Sequence, residues 1–315
     1  MQLTFYGVRG SYPVPNKDMM EYGGKTSCVM FSKMVDAPDS DKKKICLFID
    51  AGLGIIDAGK QMVPGFFNGT CSKEMTILFT HLHPDHTEGF TFFAPNFIPG
   101  TKLHLMGPAS LKKNVGMVLQ DKMAPPTYPI EYKDLKSERS HGVVSDGQTF
   151  YIDIHGKPVK APPAAPKNNA LDKYLIFKVD VMQSFAPSHP QQGSIYYRIT
   201  DMETQKSVAC IWDIESRKGG DQRVIAFSKG ADIMIHDTQY TNEEYDSDKM
   251  IVQGFGHSTF EMAIENAEGA GVKSLYGFHF NPPHTDEKLS LIEKQYKNTS
   301  EIEFNLAKEG LTIEI

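Results

Sequence analysis

Short apolar runs that stop at a polar residue recur along this chain. Residues 45–49 run into Asp50-Ala51-Gly52, and 75–80 into His81. Residues 208–212 run into Asp213, 231–235 into His236-Asp237, and 274–278 into His279. Each run is too short for a helix and too uniformly apolar for a half-exposed strand. The pattern predicts buried strands, each delivering its last polar residue to a sheet edge. Further strands are predicted at 3–7, 102–106 and 174–183. Residues 194–200 and 207–212 read as a hairpin pair around a polar turn.

Helical spacing is read in two places. Leu111, Val115, Val118 and Leu119 share a face within 110–121. Phe260, Ala263, Ile264 and Ala267 share another, with Ser258 and Glu261 at capping-box spacing and Gly269 and Gly271 as stops. Strands in both halves with helices after each set favour two packed sheets with helices outside, an α/β architecture. Residues 1–315 read as one domain with two insertions. Residues 36–44 are charged and read as a hairpin loop. Residues 155–173 carry four prolines and four lysines, so they form no single regular element.

Composition narrows the function. With 40% apolar and 23% charged residues, the chain is an ordinary globular protein. The net charge of −6 speaks against bulk nucleic-acid binding, which rests on a basic excess. No apolar run approaches the ~20 residues that span a bilayer, and 1–7 reads as a first strand, so no membrane association is expected. The four cysteines show no CxxC spacing, which fits a reducing cytoplasm.

The decisive segment is His81-Leu82-His83-Pro84-Asp85-His86, three histidines and a carboxylate in six positions. His81 and His83 lie two apart at a strand end and point to one side. Asp85 and His86 follow where the chain turns and reach a second nearby point. Imidazole with carboxylate suits zinc, iron or manganese, and an incomplete shell leaves room for water.

This segment resembles the metal-binding signature of the metallo-β-lactamase superfamily. Gly7-Val8-Arg9-Gly10-Ser11, Tyr22 to Cys28, Ile49-Asp50-Ala51-Gly52, Asp237 to Thr241 and Gly256-His257-Ser258-Thr259 resemble its phosphodiesterase branch. That branch holds cyclic phosphodiesterases and tRNase Z-like enzymes. The resemblance implies an αββα sandwich of two mixed sheets and two divalent metal ions (Zn, Mn or Fe). It implies a first metal on His81, His83, His189 and Asp213. The second falls on Asp85, His86, Asp213 and His279. His279-Phe280-Asn281 departs from the branch, which often carries a further histidine and an aspartate there.

The implied chemistry is hydrolysis of a phosphodiester by a hydroxide bridging the two metals, with Asp85 and Asp213 holding the catalytic centre. His257 is the expected proton donor or phosphate contact, before a helix N-terminus that favours an anion. Asp50 is expected to fix a ligand imidazole, not to bind metal. Arg9, Tyr240 and Thr241 are candidate substrate contacts. His104 and His236 read as structural, and His284 could line the pocket. The expected substrate is a cyclic nucleotide, such as 3′,5′-cAMP or cGMP, or a related cyclic phosphate. A tRNase Z-like endoribonuclease is the alternative, with the lysines of 155–173 as its RNA contact. A metal-binding partner protein without catalysis is the third reading. The resemblance also implies a homodimer.

Overall fold

The structure, a computed structural model, describes residues 1–37, 40–109, 113–160, 174–184, 189, 193–297 and 302–315. The first half carries β1 (Gln2–Gly7), β2 (Cys28–Ala37), β3 (Ser40–Ile49), α1 (Gly54–Asn68), β4 (Glu74–Leu78), α2 (Pro84–Thr87), β5 (Lys102–Gly107), α3 (Val115–Lys122) and β6 (Glu138–Val143). Next come β7 (Thr149–Asp153), β8 (Pro158–Lys160), β9 (Leu175–Gln183), β10 (Ile195–Asp201), β11 (Ser207–Ile211), α4 (Gln222–Ser228) and β12 (Ile233–Asp237). The chain closes with α5 (Asn242–Tyr245), α6 (Phe260–Ala270), β13 (Ser274–Phe278), α7 (Asp286–Lys297), β14 (Glu303–Leu306) and β15 (Thr312–Glu314).

The strands form two mixed sheets. One runs β15-β1-β2-β3-β4-β5-β6, the other β14-β13-β12-β11-β10-β9-β7-β8. Within each, one half is parallel: β3 to β6 in the first and β11 to β14 in the second. The pattern of β3 explains the fold. Ile45, Leu47 and Ile49 enter the core between the sheets, while Cys46 and Phe48 face Ile55, Ala58, Met62 and Phe66 of α1. Both faces are covered, so the sequence is a continuous apolar run instead of an alternating one.

Several boundaries differ from expectation. The described part of the charged 36–44 stretch is mostly paired strand, because β2 runs to Ala37 and β3 starts at Ser40. β4 ends at Leu78, leaving Phe79 and Thr80 to hand the chain into the site. The capping box expected at Ser258 and Glu261 is absent. Thr259 caps α6 by accepting from the Met262 N–H, and the Ser258 hydroxyl instead donates to the Ile214 carbonyl. A full capping box sits at Thr241 and Glu244, at the start of α5. Residues 110–112 and 161–173, including most of the lysine-bearing insertion, lie outside the described residues.

The parallel halves decide where chemistry can occur. The carboxyl ends of β3, β4, β11, β12 and β13 lead into Asp50, His81, Asp213, Asp237 and His279. Three of these residues end their strands with positive φ: Asp50 at 61°, Asp213 at 57° and His279 at 64°. A left-handed backbone is uncommon for any residue with a Cβ, and such residues cluster where function over-determines the geometry. The sharp turn lets a strand end project its side chain across the sheet edge.

Candidate metal centre

Seven buried or rim-exposed side chains converge at this edge. His81, His83 and His189 form one group whose ligand atoms lie within 4.8 Å of one another. Asp85, His86, Asp213 and His279 form a second. Asp213 stands between them. Its Oδ1 is 3.7 Å from His81 Nε2 and 3.8 Å from His189 Nε2. Its Oδ2 is 3.2 Å from His86 Nε2 and 3.4 Å from His279 Nε2.

The imidazoles are aimed by their other nitrogens. Asp50 Oδ2 accepts from His86 Nδ1 at 2.7 Å, Gln239 Oε1 from His279 Nδ1 at 3.0 Å, and the Gly256 carbonyl from His189 Nδ1 at 3.1 Å. Thr80 Oγ1 lies 3.1 Å from His81 Nδ1 and donates to Asp50. Each ring therefore presents Nε2 inward, as fixed tautomers do around metals. Asp50 also accepts the Trp212 indole N–H at 2.8 Å, joining the ends of β3 and β11 across the two sheets.

Two tests show that a cation fits. His81 Nε2 and Asp213 Oδ2 are buried without a hydrogen-bond partner among the described residues, a costly state if nothing binds there. His279 Nε2 and His86 Nε2 face each other at 3.3 Å, and His189 Nε2 and His83 Nδ1 at 3.2 Å. Converging imidazole nitrogens beside carboxylates are a hard-to-borderline cation's donor set. The glycines agree, since a Cβ on Gly10 would strike the His279 ring and one on Gly52 would strike the Asp85 carbonyl.

Electrostatics divide the two groups. Burial drives His81 well down, helped by the neighbouring His86, and drives His189 down to about 4. Burial would also depress His86, but Asp213, Asp85 and Asp50 outweigh it and raise it well above the usual histidine range. Burial opposes ionisation of Asp213, yet His279, His86 and His81 hold it well below the usual carboxylate range. The shifts thus run in opposite directions, down at His81 and His189 and up at His86.

His257 sits beside both groups. Its Nδ1 donates to Asp237 Oδ2 at 2.9 Å, and its ring lies 5.0 Å from that of His279 and 5.3 Å from that of His189. The same Asp237 oxygen accepts the Asp213 N–H at 2.9 Å, and Asp237, His257 and His279 also bring their ligand atoms within 4.8 Å of one another. Just before the N-cap of α6, the Ser258 N–H donates to Asp237 Oδ1.

The expectation for Arg9 is corrected. Its side chain is fully buried and donates to the carbonyls of Gly23 at 2.7 Å, His284 at 2.7 Å and Asn281 at 3.2 Å. It ties the N-terminal loop to the segment after His279 and has no face toward a substrate. Tyr240 lies 6.1 Å from the His257 ring, with its hydroxyl accepting from Gln239. Thr241 is spent on its capping box. His104 pairs with Glu74 and Ser140, and His236 with the Asp237 carbonyl and Asn266, both structural roles. His284 is fully buried against Glu244 and does not line the site.

Two contributors were not assigned from the sequence. Gln239 orients His279. Glu215 accepts from the N–H groups of Gly254 and Gly256 and from the Tyr245 hydroxyl. It thereby fixes the loop whose Gly256 carbonyl holds His189. No local pattern marks a lone glutamate for that task.

The chain is 24% identical over 319 residues to ribonuclease Z of Thermoplasma acidophilum, covering 96% of this chain and 94% of that protein. It is 27% identical over 265 residues to ribonuclease Z of Brevibacillus brevis, covering 75% of this chain and 80% of that one. The metallo-β-lactamase fold protein YhfI from Bacillus subtilis superposes over all of this chain and 99% of its own, with a TM-score of 0.61 and 18% identity. Among the described residues no helix is long and apolar enough to cross a membrane. A family model for the beta-lactamase superfamily domain matches residues 47–280, and with this donor set at the sheet edge the chain belongs to the metallo-β-lactamase superfamily.

Proposed function

We propose that this chain is a metal-dependent phosphodiesterase whose substrate is a small cyclic phosphodiester, such as a 3′,5′-cyclic nucleotide. The observation that carries the reading is Asp213, with one carboxylate oxygen turned to each of two imidazole groups. His81, His83, His189 and Asp213 Oδ1 would hold one divalent cation; Asp85, His86, His279 and Asp213 Oδ2 would hold the other. Zinc, manganese or iron there would supply Lewis acidity toward phosphoryl oxygens and a water of lowered pKa.

The chain's own residues do the rest. His257 keeps Nδ1 on Asp237 and so turns Nε2 toward the centre, where it protonates the departing oxygen. Asp85 is held in place by the Ser11 N–H at 2.8 Å. Gln239 and Asp50 keep His279 and His86 from rotating as charge builds.

The net charge of −6 supports a small substrate. A second reading, cleavage at an RNA 3′ end, is favoured by the ribonuclease Z relatives, whose similarity extends over nearly the whole chain. The test is a panel on metal-reconstituted protein: 3′,5′- and 2′,3′-cyclic nucleotides, a 3′-extended tRNA precursor and bis(p-nitrophenyl) phosphate. Preferred turnover of one cyclic nucleotide is the expected result. Cleavage of the tRNA precursor alone would replace the first reading with the second. Inertness toward every diester would remove both.

A further inference from the structure

A groove of about 600 Å³ is lined by Glu88, Phe92, Lys113, Lys122, Thr127 and Tyr128, and Glu88 follows the proposed ligands Asp85 and His86 by three and two residues. It begins where the histidine signature ends. His83, Pro84, Glu88 and Phe92 are the exposed positions of 83–92. Glu88 lies one turn beyond Asp85, about 5 Å along the axis. That is within the span of one nucleotide.

The lining has an uncommon make-up. Phe92 is 56% exposed, and its ring meets Tyr128 edge-on at 5.7 Å. The Tyr128 hydroxyl donates to the Thr91 carbonyl at 2.7 Å, so this aromatic corner is held rigid while one ring face stays open. Lys113 is paired with Asp121 at 2.5 Å, whereas Lys122 is half-buried with no ion-pair partner among the described residues. Burial lowers the Lys122 pKa, and the carboxylates opposing that are Glu88 and Asp85, the latter a proposed ligand. A cation without a partner, an open aromatic face and a nearby carboxylate match a phosphate, a base and a ribose hydroxyl.

We propose that this groove is a nucleoside subsite, in which Phe92 stacks the base against the edge set by Tyr128, Glu88 accepts from the ribose and Lys122 faces the phosphate. The proposal rests on the phosphodiesterase reading and narrows it: the substrate is a nucleotide diester, not an alkyl or glycerol one.

The test compares two esters with the same leaving group, thymidine 5′-(p-nitrophenyl phosphate) and methyl p-nitrophenyl phosphate. Binding of AMP and of inorganic phosphate to the same metal-loaded protein is measured by calorimetry. The wild type should favour the nucleoside ester in kcat/KM, and AMP over phosphate in affinity, each by roughly tenfold or more. Phe92→Ala should collapse both ratios, and Lys122→Gln should weaken AMP and phosphate together. The thermal midpoint of each variant reports its folding, and Phe92 is exposed enough for removal to be tolerated. Equal use of both esters by the wild type, or ratios unchanged in Phe92→Ala, would overturn the subsite. If neither ester is cleaved, the hydrolase reading fails, and the AMP-to-phosphate ratio still decides the groove.

Discussion

Asp237 and His257 are joined by a 2.9 Å hydrogen bond, and the oxygen that accepts it also accepts the backbone N–H of Asp213 at 2.9 Å. One carboxylate thus sets both the residue standing between the two imidazole groups and the residue placed to move a proton. Its other oxygen takes the N–H groups of Gln239 and Ser258. Through Gln239 it reaches His279 as well.

Asp237→Ala should therefore damage the site without removing a ligand. The expected loss is roughly 10- to 100-fold in rate or metal affinity, the usual cost of deleting a partner behind the ligands. Bound metal by mass spectrometry and kcat on bis(p-nitrophenyl) phosphate check it. Wild-type values for both would show that Asp237 positions nothing.

His257→Ala should behave differently. Metal content should stay near that of the wild type. Esters with poor leaving groups should slow by about 10²- to 10⁴-fold, and p-nitrophenyl esters much less, because only the former need a proton. Equal slowing of both classes would exclude a proton-donor role.

Glu215→Ala should free the N–H groups of Gly254 and Gly256 and so loosen the carbonyl that holds His189. Hydrogen exchange at 254–256 should quicken, and metal affinity should fall by roughly tenfold. Unchanged exchange there would show that the loop is fixed by other contacts.

Glu244 gives a pH signature away from the metal centre. Burial would raise its carboxyl, but the His284 ring, the Lys288 ammonium and the Thr241 N–H outweigh it and hold it at about 2. The unfolded chain then binds more protons than the folded one between pH about 4.3 and about 2. Its contribution to stability is full above that window and is lost as pH falls through it. The stability gap between wild type and Glu244→Gln should thus be widest near neutral pH and close toward pH 2. A gap independent of pH would contradict this.

What could be read from the chain, and what could not, divides along physical lines. The strand-end residues were legible because an apolar run that stops at a histidine or aspartate carries its own placement. His81, His83, Asp85 and His86 come together through local geometry alone. His189 and His279 needed the family resemblance, since nothing local separates them from His104 or His236. Arg9 misled because a glycine-rich loop after a strand can present an arginine or swallow it, and only the carbonyls of Gly23, Asn281 and His284 decide. The α6 cap slipped by one residue because Ser258 and Thr259 both offer a hydroxyl, and Ile214 claims the first. The supports Glu215 and Trp212 act across elements distant in sequence, where no spacing rule reaches.

The most direct measurement is phosphodiester turnover against bound metal, titrating zinc or manganese into metal-free protein, wild type and Asp213→Ala side by side. Wild-type turnover of bis(p-nitrophenyl) phosphate should rise as two equivalents bind, and Asp213→Ala should lose metal and fall by orders of magnitude. Full turnover without metal, or an Asp213→Ala protein that keeps two metals and the wild-type rate, would contradict this.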